Sequence, residues 1–524
     1  MDNVRLTLWA SPLRCALQLG IELFSRLEVH TLKPINLGGH AAYQDHVLEL
    51  MRKYYPDPGT IPPSTWMIID RFWHLDLSHV DEQMADRYSI FGPAPRLPSC
   101  MLRSFMLSIE FKVTSFTEWS RQLRINPLFA IVSGFSPSDT PGTGTFYDFN
   151  ARLWLSDSKN LSPHERQSKA TVKKPSKKGE KAQPVEKVTV DELIQRFEIE
   201  PPLENPPFGR LFDIFKDNFL DVSAQKGLVD LDSLALSGDG TPVVTSARER
   251  SKRTCDCREN GITDCSCDRY YSQPDCDIGW DSSRNCFYHG YDLYMLTASD
   301  SESDLPVFPL LSPASRHDSH GFCYTWFTMR HLMPEASVSK VLLDSAHDAM
   351  ALYRYFRRNT IVPFIDINSK RGKPAIYKDD FALGDDGVPI CPAGRRMNRD
   401  GCENKKHRLK YRCPLTSRKY GCSCSTPCSD SKYGRTVHLQ MKDDPRLINI
   451  PPRDSTEWKL EYNARTSSER CNKREKNDFL LESGSHRSSR DWYCRLYCIM
   501  MCQHLDAWDL PFESPLQSLL RLPA

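Results

Sequence analysis

The chain has 524 residues, 40% of them hydrophobic and 26% charged, with a formal net charge of +2. This composition fits a globular protein of roughly two to four domains and excludes a disordered or fibrous chain. No run of 18 apolar residues occurs, which argues against a membrane span, and with so little net charge any nucleic-acid contact must come from local basic clusters.

The first segment, MDNVRLTLWASPLRCALQLGIELFSRLE, is amphipathic and carries acids. It has no clean apolar core followed by a cleavage site, so a cytoplasmic protein is expected. Residues 1–160 read as mostly helical. SCMLRSFMLSIEFKV has apolar residues at helical spacing. TSFTEWSRQLRINPLFAIVSGF opens on a cap at Ser115 and breaks at Asn126-Pro127. Such helices, joined by short turns, suit either a DNA-reading domain or an ordinary bundle. Residues 161–190 are Lys-rich without apolar period and read as a linker. VDELIQRFEIE and PFGRLFDIFKDNFLDVSAQKG then supply further helices.

From about residue 230 the texture becomes strand-like. LALSGDGTPVVTSA reads as a short apolar run with a Gly-Asp-Gly turn. CFYHGYDLYMLTA and LPVFPLLSPA read as strands, KVLLDSAHDAMALYRYFRR as a strand then a helix, and TIVPFIDIN as a strand. This order predicts an α/β fold, a mixed sheet flanked by helices. Two acids, Asp239 and Asp344, fall where strands are expected to end, a position from which side chains reach ligands. A turn-forming role is the plain alternative for each.

The stretch YNARTSSERCNKREK sets Tyr462, Arg465, Glu469 and Lys476 at steps of three, four and seven. On one helix these would share roughly one face. The plain alternative is a solvated face of paired charges. Three acids from distant segments would repel one another unless cations neutralised them, and hard oxygen donors suit Mg2+ or Mn2+. Two such ions about 3.5–4 Å apart can activate a water or a 3′-hydroxyl in phosphodiester displacement. Tyr462, Arg465 and Lys476 would then hold phosphates beside them.

These residues carry a resemblance. The Tyr-x2-Arg-x3-Glu-x6-Lys pattern matches at all four positions the YREK signature of one group of bacterial insertion-sequence transposases of the DDE type. SGDGTPV resembles the segment with the first catalytic Asp of that family, and LLDSAHD the segment with the second. PGTGTFYDFNARL resembles its N-terminal domain, and CPAGRRM with the later cysteines resembles an insertion seen in a subgroup. The likeness covers about residues 90–505.

It implies a ribonuclease-H-like core in which Asp239, Asp344 and Glu469 are catalytic and bind Mg2+ or Mn2+, while Tyr462, Arg465 and Lys476 bind DNA. It also implies cleavage at the ends of an insertion sequence, strand transfer into double-stranded DNA, synapsis by a homodimer and a bacterial, nucleoid-associated setting. His347 stands where relatives often have an aromatic residue. Asp348 and Glu475 compete for the second and third acid positions. The alternative function is a catalytically inactive or domesticated DNA-binding protein of the same fold; a nuclease acting on another substrate is a third. The expected domains are a helical end-binding domain (1–160), the linker (161–190), the first catalytic part (191–390), a Cys-rich basic insertion (391–450) and the catalytic C-terminus (451–524).

Twelve of the 19 cysteines fall in two clusters, Cys255–Cys286 and Cys391–Cys428. In a cytoplasmic chain such clusters suggest metal rather than disulfides. Cys402, Cys413, Cys422, Cys424 and Cys428 are candidate Zn2+ ligands that would fold a basic loop too small for its own core. Reduced, unligated thiols are the alternative. Cys494, Cys498 and Cys502 recur every four residues among apolar neighbours and read as a core stripe. His289 and Trp280 are assigned structural roles.

Overall fold

Some helices begin at a side-chain cap the sequence supplies, at Ser115, Asn126, Thr189 and Ser455. The computed structural model describes residues 39–89, 94–161, 188–247, 249–253, 257–262, 269–368, 381–417, 421–484, 486–509 and 515–521. Most of the expected linker, and Cys255, Cys265 and Cys267, lie outside the described residues.

Two compact units form. The first takes in residues 1–155, 210–219 and 497–524. Ser115 accepts from the Glu118 amide and starts helix Phe116–Ile125. Asn126 caps the next helix, Pro127–Ser133, which Gly134 closes at φ 90°. This is the expected break, set by the missing amide of Pro127 and the left-handed freedom of glycine. Trp119 is fully buried and donates Nε1–H to Ser104 Oγ at 2.9 Å. The chain from Tyr497 onward belongs to this unit, whereas the sequence grouped it with the catalytic segment. In helix Ser489–Ala507 Cys494, Cys498 and Cys502 are fully buried, as are Ile499, Met500 and Met501, so the expected core stripe is buried. Cys502 Sγ reaches Met106 O at 3.7 Å within the unit.

The second unit holds residues 156–209 and 220–496. Its sheet comprises β1 (Leu234–Val244), β2 (Asp277–Asp281), β3 (Cys286–Ala298), β4 (Pro306–Pro313), β5 (Val338–Leu343) and β6 (Val362–Ile365). β1 is central, antiparallel to β3 and parallel to β5, and β5 is parallel to β6. β3 pairs with β2 along its first part and with β4 along the rest, antiparallel to both. Helices flank this mixed sheet: α1 (Asp318–Leu332), α2 (Met350–Arg358), α3 (Thr456–Asn463) and α4 (Thr466–Lys473). The aromatic rings of Phe322 and Trp326 in α1 meet Phe356 of α2 at 5.9 and 5.4 Å.

Two local readings change. Gly238-Asp239-Gly240 is no turn; β1 runs straight through it for 11 residues. The glycines serve close approach instead. A Cβ on Gly238 would lie 2.8 Å from Tyr294 Oη and 3.0 Å from Leu343 Cδ2. The stretch from Tyr462 to Lys476 is also not one helix: α3 ends at Asn463, α4 begins at Thr466, and Arg474–Asp478 winds as a π-turn.

A small sheet of β7 (Asn398–Glu403), β8 (Arg408–Arg412) and β9 (Thr436–Gln440) forms the Cys-rich basic segment. Leu409, Tyr411, Val437 and Leu439 pack there with Met397, Leu447 and Ile448. The segment therefore has an apolar core of its own, contrary to the expectation that it would be too small for one. No helix among the described residues is long and apolar enough to cross a membrane.

Gly290 sits where β3 changes partner, and a Cβ there would fall 2.0 Å from the Val243 carbonyl oxygen. Gly290→Ala is expected to destabilise the fold by about 1–3 kcal/mol or more, read as a lower melting temperature. Gly144→Ala, at a helical position with open space around it, is expected to leave melting unchanged or raise it.

Candidate active site between the central strands

Alternate residues of β1 face α4. Ser237 Oγ lies 2.6 Å from Ser467 Oγ. Asp239 Oδ2 accepts from Asn472 Nδ2 at 3.2 Å, and Thr241 Oγ1 accepts from Lys476 Nζ at 3.3 Å. Three side chains two residues apart on a strand thus meet three positions spread along α4 and its π-turn. This docking is what the period of two on β1 allows.

Asp344 reaches the same place from β5. Ser237 pairs with Leu342, so continuing both parallel strands by two residues sets Asp239 beside Asp344. β5 has ended at Leu343, while β1 continues paired with β3. The crevice opened at that level is the usual ligand position of a sheet with parallel strands. Asp344 accepts from the Ala346 amide at 3.0 Å and caps the short turn Ser345–His347. His347 is fully buried between Asp344 Oδ1, 2.6 Å from its Nδ1, and Tyr294 Oη, 2.8 Å from its Nε2. A carboxylate only accepts, so Nδ1–H donates to Asp344, and Nε2 shares a hydrogen bond with the tyrosine hydroxyl. Burial pushes the Asp344 carboxyl up, but the His347 hydrogen bond and charge, the Ala346 amide and Arg465 bring it below the usual range.

Asp239 has the opposite balance. Burial, then the negative charges of Asp344, Glu469 and Asp318, push its carboxyl up to about 7. Asp344 and Glu469 therefore stand close enough for their charge to act on Asp239. Glu469 is held by Arg465, whose Nη2 lies 2.7 Å from Glu469 Oε1. The Arg465 guanidinium sits 5.9 Å from the Tyr462 ring, which stacks on Trp458 at 4.8 Å. Burial and then Asp366 raise the Tyr462 hydroxyl to about 12.

The competing acids are engaged elsewhere. Asp348 is buried against Arg446, with Nη2 2.7 Å from Oδ2, and takes the Asn368 amide as well. Glu475 is fully buried, and Cys471 Sγ lies 3.9 Å from its Oε1, whereas the Glu469 side chain is 50% exposed. Lys476 turns inward: its ammonium donates to Pro242 O at 2.6 Å and pairs with Glu482 at 3.3 Å. It secures the π-turn to β1.

Sequence reasoning did not assign Asn472 or Tyr294 to the site, nor single out Asp292 and Asp318, whose charges reach Asp239. The alternation of HGYDLYML put Asp292 and Tyr294 on one strand face, but nothing in it revealed what that face meets. Of the cysteines, Cys402 and Cys428 are exposed, Cys413 is buried and Cys424 donates to Thr426 O at 3.4 Å. Cys422 lies in a short strand paired with Thr416. Among the described residues no three His, Cys, Asp or Glu side chains are gathered in a metal-holding group.

No family model matches the chain, and no curated protein matches it either. The donor set nonetheless has the chemistry for a hard divalent ion. It offers three carboxylates, and Asp239 is raised first by burial and then by the charge of the others, a demand a cation would meet.

The raised Asp239 means that the folded chain keeps a proton which the unfolded chain releases above about 3.8. This group therefore costs stability increasingly as pH rises from about 4 to about 7, and a constant amount above. Asp239→Asn is expected to stabilise the metal-free protein at pH 8 by about 1–4 kcal/mol, and hardly at pH 4. Thermal melts of both forms across that range check it.

Proposed function

We propose that the chain is a DDE-type transposase with a ribonuclease-H-like core that cuts and joins DNA at the ends of its own element. The observation that carries this reading is that the buried Asp239, at the β1–β5 crevice, feels the charge of both Asp344 and Glu469, while Arg465 pairs with Glu469 and feels Asp239. The strand order supports it too: β4–β3–β1–β5–β6, with β3 antiparallel to the centre and β5 and β6 parallel to it, is the arrangement expected of that core.

In this reading Asp239, Asp344 and Glu469 hold Mg2+ or Mn2+, which supplies activation of the attacking oxygen and stabilisation of the leaving one. The chain's own groups do the rest. His347, steadied by Tyr294, fixes the orientation of the Asp344 carboxylate. Asn472 does so for Asp239. Arg465 neutralises the acids and, with Tyr462, offers a phosphate contact at the rim. Lys476 anchors the helix that carries Glu469 to β1, so its role is one of positioning. Double-stranded DNA is the partner, and a homodimer would let each protomer act at one end.

A donor plasmid carrying the DNA that flanks the gene tests this. Wild-type protein with Mg2+ should nick or cut at the boundary, and Asp344→Ala or Glu469→Ala should abolish cutting while DNA retention in a gel-shift persists. Full cutting by either variant would refute the assignment; retention without cutting by the wild type would favour the inactive DNA-binding alternative. His347→Phe should lower the rate about 10- to 100-fold, as loss of a ligand's hydrogen-bond partner does, measured in the same assay.

A further inference from the structure

The opposite face of β1 carries a second acidic pair. Gly240 and Pro242 face β3 residues Tyr294 and Asp292, and α1 covers them. A Cβ built on Gly240 would lie 3.1 and 3.2 Å from the two Asp292 carboxylate oxygens and 3.4 Å from Asp318 Oδ1. Three carboxylate oxygens thus converge on the spot a side chain would take, more tightly than an ordinary contact allows. Asp292 is 6% exposed, and its Oδ2 is buried without a hydrogen-bond partner. An orphaned buried carboxylate oxygen costs free energy unless something positive meets it.

Arg316 and Lys476 act on Asp292 by their charge, but neither donates a hydrogen bond to that oxygen. Arg316 lies 3.8 Å over the Tyr324 ring and donates to Ser312 Oγ at 2.9 Å. Lys476 is bound to Pro242 O and Thr241. Asp318 occupies the first turn of the 15-residue α1, where helix geometry favours a negative charge.

We infer that Asp292 and Asp318 hold a hard divalent cation beside Gly240, at a site separate from the Asp239–Asp344–Glu469 cluster. Two carboxylates are enough for Mg2+, which keeps several waters, or for Mn2+ or Ca2+. An ion there would steady the junction of β1, β3 and the start of α1 from beneath the crevice. The inference goes beyond the transposase reading and does not need it.

Calorimetric titration of the full-length protein with CaCl2 and with MnCl2 tests it, comparing wild type with Asp318→Asn, Asp292→Asn, Gly240→Ala and Asp344→Asn. Asp318→Asn is expected to lose one bound ion per chain, and Gly240→Ala, which fills that spot without changing charge, to lose the same ion. Asp344→Asn should keep it. Asp318 is only half-buried at a helix start, so its variant should fold, as a circular-dichroism melt will check. Stoichiometry and affinity equal to wild type in Asp318→Asn would overturn the inference; that outcome means the pair shares a proton instead. Failure of the transposase reading would leave a different mark, an Asp344→Asn protein that still cuts DNA.

Discussion

Negative charge gathered around one stretch of one strand governs how the second unit is built. Asp239 lies within electrostatic reach of Asp344, Glu469, Asp318 and Asp292. Such a group of acids stays folded only if protons, cations or donors compensate it. His347 and the Ala346 amide serve Asp344, Arg465 serves Glu469, and Asn472 serves Asp239. The compensating groups arrive from the turn after β5 and from the start and end of α4, so the requirement ties the end of β5, helix α4 and the centre of β1 into one arrangement.

The glycines on either side of Asp239 belong to the same constraint. They let Tyr294 and Asp292 come against the backbone of β1 on one face while Asp239 faces α4 on the other. Tyr294 in turn holds His347, and His347 holds Asp344, so a tyrosine on β3 sets the direction of a carboxylate beyond β5. The π-turn at Arg474–Asp478 delivers Lys476 to Thr241 and Pro242 and seats α4 along the strand. A site built this way has its acids oriented before any ligand enters, which is the property catalysis by positioned charge requires.

Much of this was legible in the chain. The strand alternation of CFYHGYDLYMLTA, the strand-then-helix of KVLLDSAHDAMALYRYFRR, the Ser115 cap and the Asn126-Pro127 break all correspond to elements formed. They were legible because period, cap and proline act through local backbone geometry. Gly238-Asp239-Gly240 misled, because glycine has two uses, tight turning and close packing, and only the neighbours tell them apart. The single helix expected from Tyr462 to Lys476 failed for a similar reason: docking on β1, not spacing, decided where it breaks and rewinds.

The sequence by itself determined which elements exist, the mixed α/β character of the chain and which residues carry oxygen, nitrogen and charge, since these follow from residue type and short-range periodicity. Tertiary structure alone decided that Asp348 and Glu475 are sealed while Asp344 and Glu469 stay partly exposed, that Lys476 points inward, and that Asp292 and Asp318 meet across a glycine. Those are matters of burial and of contacts between residues far apart in the chain, and no local pattern encodes which distant charge a side chain will face.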